Sequence, residues 1–276
     1  MHGRHVWCRS RYFYAQRPLV FLRGLSRSLP HIHLANARLN WYKFNFGRDP
    51  NLCYQLEDES VAGDQDGLFF VIEGIDGCGK STQIKQLGEY FRLKGRQVHV
   101  TCEPTDGHVG VLIRKMLSGE VKVDQRTIAT LFAADRTDHL MNEENGIRNK
   151  VDKGQVVLCD RYYFSSYAYH AQHVDMDWVI RVNSMNAEIL KPDATLFIDV
   201  DPDTCFKRLQ RGRAHLEMYE KIDIMNQVRL SYFEAFERLK DQETVRVIDG
   251  NGEIEQVQKR IRKAVDEIMA LTLKKV

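Results

Sequence analysis

The chain has 276 residues, 43% hydrophobic and 28% charged, with a formal net charge of +2 at pH 7. That length supports one or two domains with a full core, and no apolar run approaches the length a bilayer crossing needs, which argues against a membrane partner. The six cysteines (Cys8, Cys53, Cys78, Cys102, Cys159, Cys205) form no C-x-x-C pair, so neither a zinc site nor a disulfide framework is expected, and a reducing compartment is.

Charge is unevenly spread. Residues 1–48 carry eight arginines and one lysine with no acid, interleaved with Trp7, Tyr12, Phe13, Tyr14, Trp41 and Tyr42. Residues 49–66 turn acidic and small, ending near Gly63-Asp64-Gln65-Asp66-Gly67, and read as a linker. Three readings of the front stay open: an organelle transit peptide, a nucleic-acid-binding arm, or an inessential extension. Residues 1–66 are therefore set apart as a basic extension with an acidic linker, expected to be poorly ordered, and 67–276 as the catalytic domain. The cytoplasm is the expected location, or the mitochondrion if residues 1–60 act as a transit peptide. No nucleic-acid partner is expected.

Leu68 to Ile72 is an uninterrupted apolar run, the mark of a strand buried on both faces. It leads into Gly74-Ile75-Asp76-Gly77-Cys78-Gly79-Lys80-Ser81-Thr82. A Gly-x-x-x-x-Gly-Lys-Ser loop between a strand and a helix is a phosphate cradle. Its glycines let backbone N–H groups curl around phosphate oxygens, the lysine reaches the β- and γ-phosphates, and the serine hydroxyl ligates Mg²⁺. Ile84, Leu87 and Phe91 then recur at helical spacing, with Gly95 as the stop.

Residues 96–101 alternate as a strand and end in Cys102-Glu103-Pro104-Thr105. A short helix is expected over 107–118 and a longer one carrying Ile128, Leu131, Phe132 and Ala134 ahead of Asp135-Arg136. Gln155 to Asp160 is a second buried strand, and its terminal Asp160 is suited to organising a Mg²⁺ shell. Arg161, Tyr162, Tyr163, Phe164, Ser165 and Ser166 follow at that strand end. Trp178, Val182, Met185 and Ile189 mark an amphipathic helix over 175–190, whose stripe is core or subunit interface. Ala194 to Val200 is a strand, and Asp201-Pro202 caps a helix. That helix runs into the basic Lys207-Arg208-Leu209-Gln210-Arg211-Gly212-Arg213. A helix over 216–239, a strand over 245–248 and a closing helix with Ile254, Val257, Ile261, Val265 and Ile268 complete the chain. The pattern predicts an α/β, three-layer P-loop fold: a central parallel sheet of about five strands with helices on both faces.

Four stretches together (Ile72 to Gln83, Glu103-Pro104-Thr105, Leu131 to Arg136, and Asp160-Arg161-Tyr162 with Ser165-Ser166 and Ala168-Tyr169) resemble the thymidylate kinase family over about residues 68–240. The resemblance implies transfer of the ATP γ-phosphoryl to dTMP, with ATP as co-substrate and Mg²⁺ as cofactor, in a homodimer. It implies that Phe132 stacks on thymine, Arg136 bonds the base, Arg161 holds the acceptor phosphate, and Asp76 lies near the deoxyribose and the metal. Glu103, Ser166 and Tyr169 complete the acceptor site, and Glu220 matches an acid near the metal. Lys80, Arg161 and Asp160 serve catalysis. Family members often have arginine where this chain has Cys102, a role Arg114 is placed to fill, and some carry an arginine inside the P-loop. Members lacking the latter draw arginines from a lid, which here points to Arg208, Arg211 and Arg213. Two alternatives stand beside this reading: a kinase for another nucleotide or a deoxynucleoside, with Glu73 as its base, and a silent nucleotide-binding regulator.

Overall fold

The structure, a computed structural model, describes residues 66–212, 219 and 221–272, without the side chains of 211, 212 and 272. In chain order the elements are β1 (Leu68–Glu73), α1 (Lys80–Leu93), β2 (Val98–Cys102), α2 (His108–Leu117), α3 (Gln125–Met141), α4 (Ile147–Asp152) and β3 (Val156–Asp160). They continue with α5 (Tyr163–His170), α6 (Met176–Ile189), β4 (Ala194–Asp199), α7 (Pro202–Gly212), α8 (Ile222–Leu239), β5 (Val245–Asp249) and α9 (Ile254–Thr272). The five strands are all parallel, in the order β2-β3-β1-β4-β5. None of the described helices is long and apolar enough to cross a membrane.

The burial pattern follows from that order. β1, β3 and β4 lie inside the sheet and are almost wholly buried, as their unbroken apolar runs require. β2 and β5 form the edges and are only half buried. Alternation along β1 puts a helix layer on each face. Phe70 stacks on Phe91 of α1 with ring centroids 5.9 Å apart, while Phe69 turns the other way onto Tyr162 at 5.3 Å. On that second face Phe197 of β4 packs against Tyr232 and Phe236 of α8, at 4.8 and 5.1 Å.

The chain leaves β1 toward β2 on one side and returns from β3 to β4 on the other. Open α/β sheets bind ligands at such a reversal, outside the carboxyl ends of the strands. The register levels those ends, with Ile72 and Cys102 both beside Asp160 and Glu73 beside Phe197.

Two helices go beyond the sequence reading: α4, and α5, which follows directly on the end of β3. The aromatic Tyr162-Tyr163-Phe164 favours strand, and Tyr162 offers no side-chain cap. The cap comes from β1. Glu73 Oε1 accepts from the backbone N–H groups of Tyr162 at 2.8 Å and Ser165 at 3.1 Å, which satisfies orphan donors at a helix start and sets a carboxylate on its positive end.

The predicted stripe on α6 lies beside its most buried face, with Trp178 and Ile189 partly buried against the core. The buried face carries Met176, Val179, Asn183 and Asn186, whereas Met185 is 56% exposed. Apolar periodicity left out part of the buried face because two buried positions there are asparagines, each hydrogen-bonded. Asn183 accepts from Arg136, and Asn186 accepts from Thr137 Oγ1 at 2.8 Å and donates to the Ala133 carbonyl at 3.0 Å. In the region expected to be helical over 216–239, helix α8 is described from Ile222 onward. The cap expected at Asp201 is present, its carboxylate accepting from Thr204 N at 3.1 Å.

Candidate active site

The loop between β1 and α1 takes its shape from backbone conformations that side chains resist. Gly74, Gly77 and Gly79 have φ of 147°, 80° and 101°. At Gly77 space is also lacking, since a Cβ there would lie 2.6 Å from the Cys205 carbonyl oxygen of α7. A side chain at Gly77 would therefore collide with α7. Ile75 and Cys78 are buried beneath it, and burial pushes the Cys78 thiol pKa up. Lys80 opens α1, and its ammonium donates to the carbonyls of Gly74 at 3.1 Å and Ile75 at 3.3 Å. Arg208, in the basic run of α7, reaches the same loop at the carbonyls of Gly77 and Cys78, at 3.4 and 3.5 Å.

Beside the loop, the exposed Ser81 donates to Asp160 Oδ2 at 3.3 Å. Asp160 Oδ1 is buried and has no hydrogen-bond partner among the described residues. An unpartnered carboxylate oxygen next to a hydroxyl is a set of hard oxygen donors, and it fits Mg²⁺. Thr82 is exposed on the same turn. A second grouping, Glu103, His139 and Cys159, brings its donor atoms within 4.8 Å of one another. Hydrogen bonding already accounts for all three members, Cys159 Sγ donating to the Arg161 carbonyl at 3.1 Å. Glu103 pairs with Arg136, and His139 bridges Glu103 Oε1 at 3.1 Å and Thr101 Oγ1 at 2.7 Å.

Arg161 follows β3 in a left-handed conformation, φ 72°, unusual for a residue with a side chain. Its N–H donates to the Ile72 carbonyl at 3.0 Å, and its guanidinium is spread over several partners. It donates to Asp76 Oδ1 at 2.7 Å, the Tyr169 hydroxyl at 3.0 Å and Ser165 Oγ at 2.9 Å. Tyr169 in turn donates to Asp76 Oδ2 at 2.9 Å. Burial works to raise the Asp76 pKa, but the Arg161 and Lys80 cations outweigh it and hold the carboxyl at about 2.

Arg136 comes from α3 and is 1% exposed. It donates from Nε to Glu103 Oε2 at 2.8 Å and from both terminal nitrogens to Ser166 Oγ at 3.2 Å. With Asn183 as a further acceptor, a buried cation is fully engaged. Phe132, one turn earlier on α3, faces His170 of α5 with ring centroids 5.1 Å apart.

Phe132, Arg136, Ser166, Tyr169 and His170, with Asp76, Glu103 and Arg161, line one cleft. Asp76, Gly77, Gly79, Lys80, Ser81, Thr82, Cys102, Glu103, Asp160 and Arg161 line a second. The two therefore share Asp76, Glu103 and Arg161. Several residues singled out from sequence line neither cleft: Gly74, Ile75 and Cys78 form the turn of the loop behind the second, and Arg208 touches that loop from α7. Arg211 is in α7 without a described side chain, and Arg213 and Glu220 lie outside the described residues. Arg114 does not line either cleft. It donates to the Pro104 carbonyl at 2.6 Å and pairs with Asp106 at 3.1 Å, so it braces the loop after β2. Cys102 is exposed in the second cleft.

Glu73, the candidate base for a nucleoside acceptor, is fully buried and lines neither cleft. Its Oε2 accepts from Ser165 Oγ at 2.6 Å and Tyr232 at 2.9 Å, and burial raises its pKa against the Arg161 charge. The sequence reading passed over His170 and Asn183. Asn183 had a signal, because Met176, Val179, Asn183 and Asn186 keep a 3-4-3 helical spacing.

A phosphate-binding loop on the central strand, with a polar cleft opening beside it, defines a P-loop phosphotransferase of the nucleoside monophosphate kinase class. Comparison with known proteins narrows this. A sequence model of the family described as thymidylate kinase matches residues 72–261. The probable thymidylate kinases of Pyrococcus horikoshii and Pyrococcus abyssi are 36% and 34% identical to this chain, covering 69% and 71% of it and 92% and 94% of themselves. The thymidylate kinase of Caldicellulosiruptor saccharolyticus is 34% identical over 74% of this chain and 98% of its own. The chain belongs to the thymidylate kinase family.

Proposed function

We propose that the protein transfers the γ-phosphoryl group of ATP to the phosphate of dTMP, giving ADP and dTDP. The observation that carries this reading is the meeting of two clefts at Asp76, Glu103 and Arg161, an arrangement that suits transfer from a phosphate donor in one to an acceptor in the other. Phosphoryl transfer needs mainly alignment and charge neutralisation, because little covalent chemistry falls to the protein. Lys80 holds the β- and γ-phosphates of ATP, with Gly74 to Gly79 cradling them through the backbone. Arg161 lies at the junction, where it holds the acceptor phosphate, and its planar fork suits two oxygens at once. Ser81 and Asp160 hold Mg²⁺, with Glu220 as a further acid. Bound there, Mg²⁺ neutralises charge on the phosphates. Arg211 and Arg213 bring charge to the transferring group from the lid. Phe132 stacks on the base, Arg136 and Ser166 approach its edge, and Tyr169 with Asp76 lies along the sugar.

A nucleoside acceptor is disfavoured, since Glu73 caps α5 and is shut off from both clefts. Residues 67–276 are read as the catalytic unit. Met185 on α6, Met141 on α3 and Val111 on α2 are large apolar side chains left exposed, which supports a homodimer. ADP release measured with dTMP, dUMP, dCMP, dGMP, AMP and thymidine tests the function. The expected outcome is turnover led by dTMP. Turnover with thymidine, or none that depends on an acceptor, overturns it.

A further inference from the structure

The two ends of the Arg161 guanidinium meet different kinds of partner. Nη2 donates to Asp76 Oδ1 at 2.7 Å and to the Tyr169 hydroxyl at 3.0 Å, and both of these residues line the acceptor cleft. Nη1 donates to Ser165 Oγ at 2.9 Å and, from behind, to the Tyr232 hydroxyl at 3.3 Å. Tyr232 belongs to α8, is fully buried and lines neither cleft. It touches the arginine and has no access to anything the arginine would bind.

Glu73 decides which way the two hydroxyls behind Nη1 face. Its Oε1 is filled by the backbone N–H groups of Tyr162 and Ser165, and its Oε2 accepts from Ser165 Oγ at 2.6 Å and from Tyr232 at 2.9 Å. Four donors on two oxygens is the full capacity of an ionised carboxyl, which can only accept. Both hydroxyl protons are thus drawn toward Glu73, and their lone pairs are left for Nη1. The acid reaches the arginine only through these neutral oxygens. They orient the guanidinium without cancelling its charge, as a second direct ion pair beside Asp76 would.

We propose that Tyr232 is a positioning residue for the acceptor phosphate: backed by Glu73, its hydroxyl sets the plane of the Arg161 guanidinium, so that the cleft-side donors meet the phosphate oxygens. This rests on the reading of Arg161 as the group that holds the phosphate of dTMP. A guanidinium is planar, and fixing Nη1 on two acceptors fixes the direction of its other N–H groups as well. A phosphate entering the cleft can compete for Nη2, whose partners line the cleft, while the buried pair at Nη1 stays in place.

The test uses the full chain and two ligands that differ by the phosphate alone, dTMP and thymidine. Tyr232→Phe keeps the ring that packs against Phe197 and Phe236 and deletes only the hydroxyl. Arg161→Met and the double variant complete a cycle. Calorimetry gives both affinities, steady-state kinetics gives kcat and KM for dTMP, and thermal melts monitor folding. Tyr232→Phe is expected to weaken dTMP binding about tenfold and to leave thymidine within about twofold of wild type. The kcat should fall by about tenfold as well, because a misaligned phosphate meets the donor out of line. With Arg161 already replaced, the same change should cost dTMP nothing further. A role confined to packing would weaken both ligands alike. If the two affinities fall together, if neither falls, or if the full loss persists beside Arg161→Met, the positioning role is overturned while the dTMP assignment stands. A wild type that binds thymidine as tightly as dTMP removes Arg161 from the phosphate, and this inference falls with that reading.

Discussion

The two halves of the cleft are built by different means. The donor half takes its shape from three glycines at positive φ and one lysine, all within a single short loop. The acceptor half is assembled from side chains on separate elements: Asp76 after β1, Glu103 after β2, Arg136 on α3, Arg161 after β3, Ser166, Tyr169 and His170 on α5, and Asn183 on α6. In the first, function follows from backbone conformation and needs few side chains. In the second, nearly every polar group is held by another, so position comes from a network and the effect of any one member is shared. The difference teaches where damage should concentrate.

The largest effect is expected on the donor side. Lys80 is the loop's one cation, and its ammonium touches only loop carbonyls. Its removal therefore leaves no buried charge unpaired. Lys80→Ala should lower dTMP-dependent ADP release by roughly 10³-fold, with the melting temperature nearly unchanged. Activity within about tenfold of wild type would remove the loop from the chemistry.

The lid comes next. Gly77 has no room for a side chain against α7, so charge for the transferring group must arrive from elsewhere. Arg208 already reaches the loop from α7, and Arg211 and Arg213 continue the same basic run. Arg211→Ala or Arg213→Ala, at least one of them, should cut kcat by about a hundredfold. KM for dTMP should hardly move, because the acceptor lies across the junction. If each keeps kcat within about threefold, Arg161 or Arg208 carries the charge instead.

On the acceptor side a smaller and different change is expected. Phe132→Ala should raise KM for dTMP on the order of tenfold through lost stacking, while kcat for bound dTMP stays near wild type. A collapse of kcat with KM intact would mean that Phe132 supports the network and does not carry the base.

How much of this was legible in the sequence follows the same division. The loop, its lysine and the Ser81–Asp160 pair could be read directly, because a local motif fixes local backbone. All five strands were legible too: buried β1, β3 and β4 as apolar runs, and the half-buried edge strands β2 and β5 as alternating ones. Helix α5 was not, as its cap is Glu73 on a distant strand. Nor was the buried face of α6, where Asn183 and Asn186 take core positions because Arg136, Thr137 and Ala133 satisfy them. His170 stood next to the recognised Tyr169 and was passed over. Its lack of a partner is a property of the assembled cleft that no spacing reveals.

The smallest expected effect tests the network's electrostatics. Asp76 is ionised between Arg161 and Lys80, and its folded pKa of about 2 lies below the ordinary value of 3.8. The folded state thus holds the proton less readily than the unfolded chain. The resulting stability is complete above the unfolded value and is lost as pH falls from about 4 toward 2. A shift of this size corresponds to about 2 kcal/mol at neutral pH. The side chain is 31% exposed, and solvent screening brings the expected contribution nearer about 1 kcal/mol. Asp76→Asn keeps the shape and removes the charge, so it should unfold at lower urea concentration than wild type at pH 7. That gap should close as both proteins are taken below pH 4, where wild type also loses its carboxylate. Other acids titrate over the same range, but they are common to both proteins and cancel in the difference. A gap that stays constant from pH 7 to pH 3 would mean that Asp76 contributes through hydrogen-bond geometry with Tyr169, and that charge adds nothing to the acceptor half.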